Sequence, residues 1–209
     1  MALSESISQR LTQGAHAMDM ALTELELQRL LTYLAALIKW NKAYNLTAIR
    51  DPLEMVDKHL LDSLSILPHI DESPLIDIGT GAGLPGMIIA LMRPTLAVTL
   101  LDSNGKKTRF LKQLAAEMAL SQVTVVNDRC EQHSGEYGQI TSRAFASLAD
   151  MVTGTEHMLS SGGRWLAMKG HVPEDEISSL ASTIRLETTP ALRVPFRADA
   201  RHLIILRRN

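Results

Sequence analysis

The stretch Leu75-Ile-Asp-Ile-Gly-Thr-Gly-Ala-Gly-Leu-Pro-Gly86 joins a short apolar run to one carboxylate and to glycines at 79, 81 and 83. Glycine accepts positive φ angles and carries no Cβ, so such a loop turns tightly and lets a ligand approach the backbone. The apolar segment from Pro85 to about Met92 predicts a helix, because proline suits a first turn whose N–H groups lack partners. Strand, glycine turn and helix in this order form a nucleotide-cofactor loop with the helix N-terminus toward the ligand. The alternative is a plain strand-to-helix turn.

The spacing separates cofactor classes. A dinucleotide site calls for G-x-G-x-x-G with the pyrophosphate on the helix N-terminus. Here Leu84 occupies the last glycine position and Gly83 comes one residue early. Asp77 stands just before the loop, where its charge repels a pyrophosphate and attracts a cationic amine and sulfonium. The pattern favours S-adenosylmethionine over NAD. The next apolar run, at about 97–101, ends at Asp102. A carboxylate at that point can accept both ribose hydroxyls of an adenosine-bearing cofactor; its competing role is an N-cap for a helix beginning near Gly105.

Composition bounds the rest. A chain of 209 residues, 45% apolar, can bury one large core and a small appendage. The net charge of −2 excludes a bulk electrostatic grip on nucleic acid, so any polyanion has to be held by local basic patches. Cys130 is the single cysteine, which rules out an internal disulfide and favours a reducing compartment. The N-terminus has no basic n-region and no apolar run approaches spanning length, so a soluble cytoplasmic protein without membrane contact is expected.

Residues 1–72 predict an N-terminal helical cap. Thr23 and Glu26 form a capping-box pair ahead of Leu27, Leu30, Leu31, Leu34, Leu37 and Ile38 at helical spacing. Asp51-Pro52-Leu53-Glu54 announces a second helix, which runs to about Ser65 before Pro68 stops it. From 73 to 209 the pattern alternates, with strands expected at 75–78, 97–101, 123–126, about 139–142, 163–168, 192–194 and 202–206, and a helix near 174–182. That is an α/β chain with a mostly parallel seven-stranded sheet, whose ligands belong at the carboxyl ends of the strands.

Two strand ends carry candidate chemistry. After the third strand, Asn127-Asp128-Arg129-Cys130-Glu131 can offer backbone N–H groups and acceptors to an adenine ring. Cys130 reads as a small buried hydrophobe with nothing adjacent to lower its pKa. Glu131 either accepts from the adenine amino group or is solvated. After the fourth strand, Ser142-Arg143-Ala144-Phe145-Ala146-Ser147 replaces the Asn/Asp-Pro-Pro-aromatic tetrad used on exocyclic amines. A ring nitrogen such as guanine N7 has an in-plane lone pair and no proton to lose, so catalysis reduces to alignment. Arg143 can bond the cofactor or the O6/N7 edge of guanine, or else pair with a structural carboxylate.

These blocks together resemble the RsmG (GidB) small-subunit ribosomal RNA guanine-N7 methyltransferases over nearly the whole chain. The resemblance rests on Lys39-Trp40-Asn41-Lys42-Ala43-Tyr44-Asn45-Leu46-Thr47, on His59-Leu60-Leu61-Asp62-Ser63 and on Asp77 through Gly86. It continues through Leu100 to Ser103, Lys106-Lys107, Arg109-Phe110-Leu111, Ser142 to Ser147 and Met168-Lys169-Gly170. It implies a Rossmann-like class I S-adenosylmethionine-dependent methyltransferase that modifies N7 of one guanine in 16S rRNA or the small ribosomal subunit, with no stable protein partner. Carried over by motif, the cofactor contacts are Gly79, Leu84, Cys130, Glu131 and Arg143. Gly81 and Asp102 complete the predicted cofactor site, with no metal and no assigned catalytic residue.

RNA contact is expected from Lys39, Lys42, Arg50, Lys58 and His59 in the cap and from Lys106, Lys107, Arg109 and Lys112 after Asp102, although an ordinary solvated surface charge is the commoner role for any individual lysine. His59 and Asp62 share a helical face, but no further ligands complete a metal set, so a structural hydrogen bond is the expectation. Trp40, Tyr44 and Phe145 are the stacking candidates. The competing functions are a small-molecule methyltransferase, an NAD-dependent oxidoreductase and a non-enzymatic RNA-binding protein.

Overall fold

A computed structural model describes residues 4–143, 145 and 147–209. Helices α1 (Glu5–Ala17) and α2 (Glu24–Tyr44) begin the cap. The Thr23 hydroxyl accepts from the Glu26 backbone N–H while the Glu26 carboxylate accepts from the Thr23 N–H, which closes the predicted capping box. Leu30, Leu34 and Leu37 are fully buried on its stripe, and Leu27, Leu31 and Ile38 pack at its margin. Asp51 caps α3 (Pro52–Met55), which continues as a π-helical stretch over Val56–Leu61 and then α4 (Asp62–Leu64). A wider π turn of this kind is a local departure often found beside functional sites. Here it carries the buried polar side chains of Asp57 and His59, just ahead of the buried Asp62.

The sheet follows with β1 (Leu75–Ile78), α5 (Gly86–Met92), β2 (Val98–Leu101), α6 (Gly105–Glu117), β3 (Val123–Val126) and β4 (Tyr137–Ser142). Then come α7 (Leu148–Thr155), β5 (Leu159–Lys169), α8 (Glu174–Ser178), β6 (Ile184–Thr188) and β7 (His202–Arg208). The seven strands lie in the order β3-β2-β1-β4-β5-β7-β6. The first five are parallel, and β7 runs antiparallel to both of its neighbours. The winding direction reverses between β1 and β4, which puts a crevice at their carboxyl ends.

Alternate residues of the central strands feed two cores. Leu75, Leu166, Leu203 and Ile205 join the cluster shared with the cap helices, α5 and α6. Ile76, Ile78, Trp165, Ile204 and Leu206 join the cluster under α7 on the other face. Burial on both faces explains why these strands read as continuous apolar runs.

Several boundaries differ from the sequence reading, among them the start of β5, at Leu159 and not 163. Helix α5 starts at Gly86, with Pro85 at its N-cap. Helix α8 stops at Ser178, short of residue 182. The sixth strand is Ile184–Thr188, not 192–194. Strand β6 is a charged edge strand whose Arg185, Leu186 and Glu187 are exposed, as edges that must resist further pairing tend to be. Leu192 and Val194 are buried without being in a strand, flanked by Pro190 and Pro195, which lack the N–H that a ladder needs.

Candidate functional site

The glycine loop is built at the tip of β1. The Thr80 N–H donates to the Leu101 carbonyl at 3.0 Å, tying the loop to the end of β2. Gly83 sits at φ +93°, and a Cβ there would meet Leu111 Cδ2 at 2.7 Å and Met87 Cβ at 2.8 Å, so this glycine serves helix packing. Gly79, at φ +63°, has no atom within 4 Å of where its Cβ would stand. One side of Gly79 is therefore open to the crevice.

Asp77 is used differently from the cation-attracting role expected of it. It is fully buried, and its Oδ2 accepts from the Thr80 hydroxyl at 2.5 Å and from the Gly86 N–H at 2.8 Å. The carboxylate staples the loop and takes the first N–H of α5, the group assigned from sequence to the ligand. Its Oδ1 is buried without a hydrogen-bond partner. Burial raises the Asp77 pKa to about 7, against the opposing effect of the Thr80 and Gly86 hydrogen bonds.

Asp102 stands at the tip of β2. Its Oδ2 accepts from the Gly81 N–H and its Oδ1 from the Asn104 N–H, both at 2.8 Å, with Lys107 Nζ 3.8 Å away. The N-cap of α6 is Asn104, whose side chain accepts from the Lys106 N–H. Asp102 is thus not spent on capping, and each of its oxygens retains a second lone pair for a further donor.

A crevice of about 370 Å³ opens beside these groups, and its lining includes Gly79, Asp102, Lys107, Cys130, Glu131 and Phe145. Four predicted site residues, Gly79, Asp102, Cys130 and Glu131, are brought together there. Gly81 adjoins them through its bond to Asp102. Burial followed by the neighbouring Glu131 carboxylate pushes the Cys130 thiol up to about 11, so it stays protonated near neutrality.

Leu84 and Arg143 lie outside the crevice lining. Leu84 is buried in the cap-side core, where an apolar side chain is held by packing. Arg143 follows β4, and its Nη1 donates to the Lys58 carbonyl at 3.1 Å and to Asp62 Oδ2 at 3.3 Å. The structural-carboxylate alternative for Arg143 describes this geometry. Asp62, only 1% exposed, also takes Arg201 through Nε at 2.7 Å and Nη2 at 3.2 Å, and Arg197 Nη1 at 3.5 Å. Three arginines from two distant segments therefore converge on one carboxylate of the cap.

His59 and Asp62 each make the structural kind of hydrogen bond expected of them, to separate partners. His59 Nε2 pairs with the Thr47 hydroxyl at 2.9 Å and Nδ1 with the Lys58 carbonyl at 3.0 Å. Burial, then Arg143, lowers its pKa to about 4, so the ring is neutral at physiological pH. Among the described residues, no group of three or more His, Cys, Asp or Glu side chains could hold a metal ion.

The basic residues also divide. Lys107 belongs to the crevice, whereas Lys106 is exposed. Arg50 donates to the Asn41 carbonyl and the Asn45 side chain. Trp40 stacks on Tyr44 with centroids 5.1 Å apart and lies 5.6 Å from Phe110. Residues missed from sequence are Thr80, Lys107 in its crevice role, and Arg197 with Arg201. For the last two the only signal was an arginine-rich loop before the final strand.

Solved structures place the fold. The magnesium protoporphyrin IX methyltransferase ChlM from Synechocystis PCC 6803, with bound SAH, superposes at TM-score 0.62 over 82% of this chain and 93% of its own, at 14% identity. The pyocyanin biosynthetic protein PhzM superposes at 0.64 over 82% of this chain and 61% of its own, at 15% identity. Such likeness shows the fold alone, a Rossmann-like α/β architecture. Sequence relatives carry the family. The ribosomal RNA small subunit methyltransferase G of Stutzerimonas stutzeri is 50% identical over 99% of this chain and 98% of its own length. That of Ectopseudomonas mendocina is 48% identical over the whole of both. With the family profile matching residues 26–204 as well, the chain belongs to the rRNA small subunit methyltransferase G (GidB) family.

Proposed function

We propose that this protein transfers a methyl group from S-adenosylmethionine to N7 of a guanine in the 16S rRNA of the small ribosomal subunit. The observation that carries the reading is the crevice at the β1/β4 reversal, with Gly79 open on one side and the Asp102 carboxylate at the tip of β2. The residues present fit such a cofactor. The free face of Gly79 admits close backbone approach, Asp102 has acceptor capacity for ribose hydroxyls, and the Cys130-Glu131 pair lines the part of the crevice assigned to adenine. Gly81 supports Asp102 through its N–H, and Lys107 partly balances the carboxylate charge. Leu84 would act through the loop it anchors, and Arg143 through its hold on the cap.

When bound, the cofactor supplies an electrophilic methyl on sulfonium sulfur; the S–CH3 bond breaks as the N7–CH3 bond forms, and the positive charge passes to the purine ring. No proton leaves N7, so the chain's residues need only align and shield the reactants. Phe145, two residues past Arg143, lines the crevice and would stack on the target base. The target guanine would leave its stack to reach it. The predicted site is cytoplasmic and requires neither a membrane nor a stable protein partner. Among the described residues, no helix is long and apolar enough to cross a membrane.

Calorimetry with S-adenosylhomocysteine and with NAD tests the cofactor class. Saturable one-to-one binding of S-adenosylhomocysteine with no heat from NAD is expected, and the reverse result overturns the proposal.

A further inference from the structure

Among the exposed large apolar side chains of the described residues, Phe196 is the only aromatic one, at 46% exposure. Its backbone lies at φ +65°, a region that bulky side chains avoid and that glycine or asparagine occupies at lower cost. Strain of this kind persists only where the surrounding structure enforces it, and it concentrates at functional positions. The ring is held on one face. Arg10 Cζ stands 3.8 Å from its centroid, and Arg10 is itself fixed by Asp57, Nε to Oδ1 at 2.9 Å and Nη2 to Oδ2 at 2.6 Å.

The location relates this ring to the crevice. Phe196 lies in the loop that enters β7, whose first residue His202 pairs with Lys169 at the carboxyl end of β5. The loop therefore sits on the same rim of the sheet as the crevice. The next residue, Arg197, reaches Asp62, which also holds Arg143 at the end of β4, two residues before Phe145. Charged groups accompany the ring: Arg10 on its face pairs with Asp57, the next residue Arg197 pairs with Asp62 and Asp199, and Arg193, three residues earlier, is exposed. A single aromatic face among charged groups suits a flat base carrying a phosphate better than an apolar protein surface.

We propose that Phe196 is a stacking platform for an unpaired nucleobase of the RNA substrate, flanking the guanine that enters the crevice. This rests on the RNA methyltransferase reading above. The test uses Phe196→Gly, Phe196→Leu and Phe196→Trp in the full chain, assayed on unmethylated small subunits. The glycine variant relieves the backbone strain, so misfolding does not cloud the result. Glycine and leucine should each raise KM about tenfold, with kcat, S-adenosylhomocysteine affinity and melting temperature little changed, and tryptophan should stay within about twofold of wild type. The salt dependence of RNA binding should keep its slope, because no phosphate contact is removed. An unchanged KM in the glycine and leucine variants, or a tryptophan variant no better than leucine, overturns the proposal. A photocrosslinking side chain placed at position 196 should label rRNA, and labelling of a ribosomal protein instead overturns it too. A wild-type protein that methylates no RNA would bring down the functional reading itself, an outcome visible in the wild-type arm alone.

Discussion

Replacing Asp62 by alanine should destabilise the protein more than any surface substitution, because this one carboxylate joins the cap to both the β4 end and the final loop. Its oxygens accept from Arg201 at 2.7 and 3.2 Å and from Arg143 at 3.3 Å, with Arg197 at 3.5 Å. The three arginine side chains are only 23%, 13% and 12% exposed. Asp62→Ala leaves the Arg143 and Arg201 guanidiniums without the carboxylate they share, while Arg197 keeps its pairing with Asp199. Removing one partner of a buried pair costs about 3–5 kcal/mol. For a chain of this size each kcal/mol corresponds to roughly 2–4 °C, so the melting temperature should fall by about 6–20 °C. Arg201→Ala alone should cost less, about 1–2 kcal/mol, because Asp62 keeps two cations. Urea unfolding of the ligand-free protein measures both, and the double variant should be less damaged than the sum, with a coupling of at least about 1 kcal/mol. A loss under about 1 kcal/mol for Asp62→Ala, or strict additivity in the double variant, would refute the idea that this network bolts the cap to the sheet.

Gly79→Asp should weaken S-adenosylhomocysteine binding at least about a hundredfold by calorimetry while costing only about 1–2 kcal/mol in stability, since its new side chain meets no protein atom but enters the crevice at a positive φ. Asp77, with its pKa raised to about 7, holds a proton when folded that the unfolded chain releases near its ordinary value of about 4. Its contribution is therefore fully present below about pH 4 and is lost as pH rises to about 7. Asp77→Asn should accordingly gain stability relative to wild type between pH 5 and pH 8 in urea unfolding; a pH-independent difference would contradict the assignment. Cys130, pushed up to about 11, should react with a thiol reagent at pH 8 at least about a hundredfold more slowly than free cysteine, and Cys130→Ala should keep full methyl transfer.

Local signals in the chain were faithful where local physics decides the outcome. Thr23 and Glu26 cap α2 because capping needs only a four-residue span. The ends of β1 and β3 fall where their apolar runs end. The glycine loop and Asp102 meet as their spacing implied, since parallel pairing of β1 and β2 sets Ile78 opposite Leu101. What stayed hidden depends on distant partners. Arg143 was ambiguous because its carboxylate, Asp62, lies 81 residues away, and Arg201 lies 139 residues from that same carboxylate. Asp77 showed its charge in the sequence but not its burial, and burial turned a cation-facing group into a loop staple. Lys106 and Lys107 looked equivalent as neighbours on one helix, yet successive helical positions point about 100° apart and only Lys107 lines the crevice. Strand β6 escaped because a charged edge lacks the apolar run that marks the inner strands.

Tritiated S-adenosylmethionine supplied to small subunits from a strain lacking this protein tests the central claim most directly. The label should enter 16S rRNA at one guanine, release as 7-methylguanine on mild acid treatment, and disappear with Gly79→Asp. Label that stays out of the RNA, or that enters it undiminished with the Gly79→Asp enzyme, would contradict the account.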